Sequence, residues 1–139
     1  MWNATTNRTV ENRPDTQRIW LGDEGPRILV VDDDPDSCGV MAKLLVHAGF
    51  VAVVASNGQD ALDKARTNPP RVIVLDMVMP VMDGWTFLVH QRDDTTLGSI
   101  PVVIVSGAPQ QFLQNLGVAA ALQKPFRPAQ LIATIRAHC

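Results

Sequence analysis

The chain has 139 residues, 46% hydrophobic and 19% charged, with a formal net charge of −2. A chain of this size buries roughly two-thirds of its unfolded surface and needs no staple to hold one core, and it is too apolar and too lightly charged for a disordered protein. Its apolar runs fall far short of the roughly 18–20 residues a membrane helix requires, no apolar stretch opens the chain as a secretory signal, and the charge balance advertises neither nucleic acid nor an anionic membrane surface.

Residues 1–26 come first and differ from the rest. They are rich in Asn, Thr, Arg and Asp, contain Pro14, and close with Gly22-Asp23-Glu24-Gly25-Pro26. Without helical or strand periodicity they read as a flexible tail, in which Ile19-Trp20-Leu21 is the one apolar patch and a candidate to pack on the domain. From Arg27 to Cys139 the pattern is that of a folded domain. Ile28-Leu29-Val30-Val31 is the first apolar run. Asp34-Pro35 then predicts an N-cap followed by proline at the first helical position, with Val40, Met41, Leu44, Leu45 and Ala48 on one helical stripe and Gly49 as the stop. The second run, Val51-Ala52-Val53-Val54-Ala55, leads into a helix over 57–67 that carries Ala61, Leu62 and Ala65 and is stopped by Asn68-Pro69-Pro70. A third run, Val72-Ile73-Val74-Leu75, precedes a helix from Gly84 to about Gln91. The fourth, Val102-Val103-Ile104-Val105, is followed by a short helical segment near residues 110–115. A fifth run over 118–122 and a helix over 128–138 complete the order.

These runs are mostly β-branched and do not alternate with polar residues, the signature of strands covered on both faces and hence of a parallel sheet. Strand alternating with helix five times predicts a doubly wound α/β sandwich. In such a sheet ligands bind outside the carboxyl ends of the strands, so the residues that follow each run carry the chemistry. Asp32-Asp33-Asp34 follows the first run, Asp76 the third, Ser106-Gly107 the fourth, and Gln123-Lys124-Pro125 the fifth. The second run ends in Ala55-Ser56, with nothing ionisable. Neither the cysteines, Cys38 and Cys139, nor His47, His90 and His138 show metal-ligand spacing. Two cysteines make no disulfide framework, and a reducing cytoplasm is the expected compartment.

Asp32, Asp33 and Asp76 crowded on one partly desolvated rim repel one another and must be compensated or protonated. The natural compensation is a hard divalent cation such as Mg²⁺, which commonly binds through one or two carboxylates plus phosphate oxygens. Lys124 adds a positive charge suited to a phosphoryl oxygen, and Ser106 a hydroxyl donor. A carboxylate so flanked is built to hold a phosphoryl group, covalently or not. Simpler readings fit other residues: Asp34 is a helix N-cap, Asp36 a first-turn acid favoured by the helix dipole, and Met77, Met79 and Met82 packing residues.

Ile28-Leu29-Val30-Val31-Asp32-Asp33-Asp34, Val72-Ile73-Val74-Leu75-Asp76-Met77-Val78-Met79-Pro80, Met82-Asp83-Gly84, the stretch from Pro101 to Ser106 and Lys124-Pro125-Phe126 together resemble the receiver domain of two-component response regulators, of the stand-alone, chemotaxis-regulator-like kind. The resemblance covers about residues 27–138. It implies a flavodoxin-like sheet of order 2-1-3-4-5 and a non-enzymatic phosphoacceptor that catalyses only its own phosphorylation and dephosphorylation. Asp76 would take the phosphoryl group from a sensor histidine kinase or phosphotransfer protein. Asp33 and Asp76 would ligate Mg²⁺ directly, the Val78 carbonyl would add a ligand, and Asp32 would act through a bound water. Ser106 would grip the phosphoryl group, Lys124 would pair with it, and Lys124-Pro125 would be cis. Asp83-Gly84 would form a tight turn in which glycine is free to take positive φ. The expected partner downstream is a separate protein, with no direct nucleic-acid or membrane contact, and the expected state a monomer or weak dimer.

Two departures from the family pattern bear on output. Ala121 stands where the family usually has an aromatic residue that swings inward on phosphorylation, and the stretch between Ser106 and Lys124 is about one helical turn short. The signal is therefore expected to leave through the loops around Asp76 and Ser106. Val78 and Ala108 offer no polar group to orient an attacking water, which predicts slow-to-moderate hydrolysis of the acyl phosphate. A haloacid-dehalogenase-like phosphatase also uses an aspartate and Mg²⁺ on an α/β sandwich. It fits poorly: Asp36 stands where Thr or Val is wanted, no cap insertion is present, and Asp76 would have no role. A degenerate receiver serving only as a binding module is disfavoured by the complete set of site residues. The chain ends one helix after Lys124, so no output domain is expected.

Overall fold

The computed structural model describes residues 25–77, 79, 82–107 and 116–139. The tail up to residue 24, Val78, Ala108 and the helical segment expected near 110–115 lie outside the described residues.

The elements run β1 (Arg27–Val31), α1 (Pro35–His47), β2 (Val51–Ala55), α2 (Gly58–Thr67), β3 (Val72–Asp76), α3 (Gly84–Asp93), β4 (Val102–Ser106), β5 (Ala120–Gln123) and α4 (Pro128–His138). The five strands form one parallel sheet of order β2-β1-β3-β4-β5, the expected doubly wound, flavodoxin-like arrangement. Register is continuous across it: Val31 lies opposite Ala55 and Leu75, and Asp76 opposite Val105.

Side chains alternate across the sheet, which divides the core into two layers. Leu29, Val31, Ile73, Leu75 and Ile104 meet Ala61, Leu62 and Ala65 of α2 and Phe87 and Leu88 of α3. Ile28, Val30, Val72, Val74, Val103 and Val105 meet Cys38, Met41 and Leu45 of α1 and Leu131 and Ile135 of α4. Burial of each of these larger aliphatic side chains contributes ~1.5–3 kcal/mol, which is why unbroken apolar runs suffice as strands. At the end of α1, Gly49 takes φ +95, and Arg136 of α4 donates from Nη2 to the Ala48 carbonyl at 2.8 Å while its guanidinium lies 5.7 Å from the Phe50 ring centroid. Among the described residues no helix is long and apolar enough to cross a membrane. Cys38 is buried, Cys139 is exposed, and both are free thiols.

Three sequence expectations need correction. Val40 is 61% exposed, because the inward stripe of α1 runs through Cys38, Met41 and Leu45 and leaves Val40 on its outer flank. The fifth strand spans Ala120–Gln123 rather than 118–122: Gly117, at φ +70, turns the chain toward the sheet, and pairing begins with the Ala119 amide donating to the Val102 carbonyl. Gly84 does not take positive φ but begins α3, and its lack of a side chain serves a close approach described below.

Candidate functional site

The C-terminal rim of the sheet gathers the predicted residues. β1 lies between β2 and β3, so the chain leaves its end in one direction and returns on the other side, which opens a crevice there. Asp32 and Asp33 follow β1, and Asp76 is the last residue of β3. One carboxylate oxygen from each of the three can be chosen so that all lie within 4.8 Å of one another. Asp32 is 2% exposed and Asp76 9%, whereas Asp33 is open to solvent. Among the described residues this is the one group of acids, histidines or cysteines close enough to share a metal ion.

Asp32 is held on several sides. Its amide donates to the Ala55 carbonyl at 3.1 Å, which extends the β1–β2 ladder by one bond. Its Oδ1 accepts the Asp34 amide at 3.0 Å, and its main-chain carbonyl accepts the Cys38 thiol at 3.1 Å. Its Oδ2 is buried and accepts no hydrogen bond. Burial is the chief cause that pushes the Asp32 carboxyl above its ordinary value of 3.8; the Asp34 amide opposes this, the Asp76 charge adds to it, and the Lys124 charge opposes it. Asp34 is occupied as the N-cap of α1, with Oδ1 accepting the Asp36 amide at 3.1 Å and Oδ2 the Ser37 hydroxyl at 3.0 Å.

The segment after Asp76 is fixed by α3. The Gly84 amide donates to the Met77 carbonyl at 3.0 Å, and a Cβ on Gly84 would stand 2.7 Å from the Met77 Cα and 3.0 Å from the Asp76 carbonyl oxygen. Only glycine lets the helix start so near the strand end. Asp83 caps α3 by accepting the Thr86 amide at 2.9 Å, and that bond is the main cause holding its carboxyl below the ordinary value. Met77 and Met79 are buried beneath this loop, as packing residues.

On the other side, Ser106 ends β4, is 3% exposed and lies opposite Gln123. Its carbonyl accepts the Lys124 amide at 2.8 Å, which ties the end of β4 to the residue after β5. Lys124 is half-buried, its charge reaches Asp32, and the Lys124-Pro125 bond is cis. The rim thus brings Asp32, Asp33, Asp76, Ser106 and Lys124 to the carboxyl ends of four strands, while Val78 lies outside the described residues. Two contributors escaped the sequence reading. Cys38 was legible only as a residue three before Met41 and seven before Leu45 on the inward stripe, and Gly84 only as a turn former.

A hard divalent cation fits these residues. The donors are all carboxylate oxygens, three formal negative charges converge, and one buried oxygen on Asp32 has its acceptor capacity unused. Asp33 and Asp76 are the groups that could hold the ion, with Asp32 supporting it.

Comparison with known proteins agrees with this geometry. The family model described as "Response regulator receiver domain" matches residues 28–136. Protein Rrf1 of Nitratidesulfovibrio vulgaris (strain Hildenborough) is 32% identical over 109 residues, covering 78% of this chain and 79% of its own. The transcriptional regulatory protein PrrA of Mycobacterium tuberculosis is 36% identical over 120 residues, 84% of this chain, which spans only 51% of PrrA. Among solved structures, the chemotaxis response regulator CheY4 of Vibrio cholerae superposes with a TM-score of 0.77 at 28% identity, covering 84% of this chain and all (100%) of that one. The receiver domain of the Francisella response regulator 1452 gives a TM-score of 0.74 at 31% identity, with coverage of 81% and 95%.

Proposed function

Because the chain belongs to the response regulator receiver family of two-component signalling, we propose that residues 27–139 form a phosphoacceptor domain that takes a phosphoryl group onto Asp76 in a Mg²⁺-dependent step. The observation that carries this reading is the convergence of the Asp32, Asp33 and Asp76 carboxylates, with an unpartnered buried oxygen on Asp32 and the Lys124 charge near enough to act on Asp32.

In this reading an Asp76 carboxylate oxygen attacks the phosphorus of a phosphohistidine on a sensor kinase or phosphotransfer protein. The new O–P bond forms as the P–N bond breaks, and the imidazole leaves with the electron pair. Asp33, Asp76 and the Val78 carbonyl would hold Mg²⁺, with Asp32 accepting from a bound water. When bound, the ion supplies charge neutralisation to the carboxylates and the phosphoryl oxygens. Ser106 donates a hydrogen bond to one phosphoryl oxygen and Lys124 pairs with another. The chain's own turnover is limited to forming and losing its acyl phosphate, and the signal passes to a separate protein.

Acetyl phosphate provides the test, since acetate is its leaving group. Incorporation of phosphate that requires Mg²⁺ and disappears in Asp76→Asn is expected. Incorporation that survives this substitution would move the acceptor elsewhere, and none in the wild type would leave a binding module.

A further inference from the structure

β2 is an edge strand: β1 pairs along one side of it, and among the described residues no strand lies beyond it. Such an edge presents main-chain amides and carbonyls on which another chain can add a strand. The register shows which groups these are. The Val51 amide donates to the Pro26 carbonyl at 2.9 Å, and the Ala55 carbonyl accepts the Asp32 amide at 3.1 Å. Val51, Val53 and Ala55 therefore turn their main-chain groups toward β1, and Ala52, Val54 and Ser56 turn theirs outward. The strand itself does nothing to blunt this edge. Val51–Ala55 carries no charge, proline or glycine, and Val54 is 39% exposed.

Protection comes from α2 instead. Lys64 donates from Nζ to the Val54 carbonyl at 2.7 Å, and Asp60 Oδ2 accepts the Ser56 amide at 3.3 Å. The two side chains stand one helical turn apart and pair with each other, with Lys64 Nζ 3.1 Å from Asp60 Oδ2. Asp60 is fixed in turn by the cap of α2, because Asn57 Oδ1 accepts its amide at 2.9 Å. One outward acceptor and one outward donor of β2 are thus occupied from within the chain.

The place of Lys64 bears on one partner above others, a second copy of this chain. Antiparallel addition about a two-fold axis centred on Val53 sets Ala52 of each copy opposite Val54 of the other. Each of these pairs exchanges two hydrogen bonds, and in each the Val54 carbonyl is one of the two acceptors. Lys64 Nζ already stands on that carbonyl.

We propose that Asp60 and Lys64 guard the β2 edge against pairing with a second copy of this chain. Lys64 does so by occupying the Val54 carbonyl, and Asp60 by holding Lys64 and the Ser56 amide. The proposal rests on the strand register and the α2 side chains, not on the phosphoryl reading.

The test is sedimentation equilibrium of the full chain without Mg²⁺, for the wild type, Lys64→Met, and Lys64→Met combined with Ala52→Pro. Lys64→Met keeps an unbranched stem and a good helix former but removes the donor. It is expected to self-associate roughly tenfold or more tightly than the wild type, the factor that two regained hydrogen bonds per dimer would give. Its Val54 amide should also become protected from hydrogen exchange as concentration rises. Ala52→Pro removes an outward donor that the single chain does not use, and should return association to the wild-type level. Equal self-association of the wild type and Lys64→Met would overturn the proposal. So would association that survives Ala52→Pro, since the contact would then lie elsewhere. Val54 protection that is the same in dilute and concentrated Lys64→Met would overturn it independently of the proline variant.

Discussion

The Cys38 thiol donates to the main-chain carbonyl of Asp32 at 3.1 Å, so the first turn of α1 grips the strand end from which two carboxylates project. Burial is also the chief cause that raises the Cys38 thiol above its ordinary value, which keeps it a neutral donor. Cys38→Ala removes both the donor and packing volume, and is expected to cost about 1–3 kcal/mol of stability and to weaken Mg²⁺ binding several-fold. Cys38→Ser keeps a donor and should retain more of the Mg²⁺ affinity than Cys38→Ala. Thermal unfolding and a Mg²⁺ titration of the two variants check this, and equal affinity in both would remove the bond from the site.

Asp32 predicts an unusual pH response. Its folded proton affinity is raised above the ordinary 3.8, so its contribution to metal-free stability is present below that pH and is lost as pH rises through the higher folded value. Asp32→Asn removes a buried charge and should raise the metal-free melting temperature at neutral pH by about 4 °C, the shift that ~1 kcal/mol gives in a domain near this size. The same variant should gain less stability from Mg²⁺ than the wild type. Melting curves from pH 4 to 8 with and without Mg²⁺ distinguish this from a simple loss of structure.

Gly84→Ala should be costly although it sits in a helix, where alanine is otherwise favoured. The new Cβ would meet Met77 Cα at 2.7 Å and the Asp76 carbonyl at 3.0 Å. Displacement of the loop is expected to cost ~1–3 kcal/mol and to slow phosphorylation from acetyl phosphate. By contrast Gly39→Ala, with open space around it in α1, should be neutral or stabilising in the same unfolding assay.

Ala121 lies half-buried in β5 opposite Ile104 and has no side-chain rotamer to exchange. Amide spectra with Mg²⁺ and beryllofluoride are therefore expected to change most at Met77, Met79 and Ser106. Changes concentrated instead over residues 116–122 would show that β5 carries the signal without an aromatic.

The positions of the acids were legible in the sequence because each stands directly after a run of buried residues, and a parallel sheet puts all such ends on one rim. Asp34 was equally legible as a cap, since Pro35 follows it. The limits of β5 were not: Val118 and Ala119 are as apolar as the strand itself, and only Gly117 and the pairing with Val102 mark where it starts. Val40 failed for a related reason, because an apolar residue at the flank of a helical stripe carries no sign of which side it falls on. Cys38 and Gly84 act through main-chain carbonyls brought near by tertiary packing, which no local pattern encodes.

The layer formed by α1 has a consequence for biosynthesis. Met41 and Leu45 share their apolar cluster with Leu131 and Ile135, and the Arg136 to Ala48 bond joins positions 88 residues apart. While a nascent chain still lacks α4, that face of the sheet is covered by α1 alone, although α2 and α3 can already close the opposite one. On the ribosome the two layers must therefore mature at different times, and substitutions in α4 should affect the yield of folded protein in cells more than their equilibrium cost suggests.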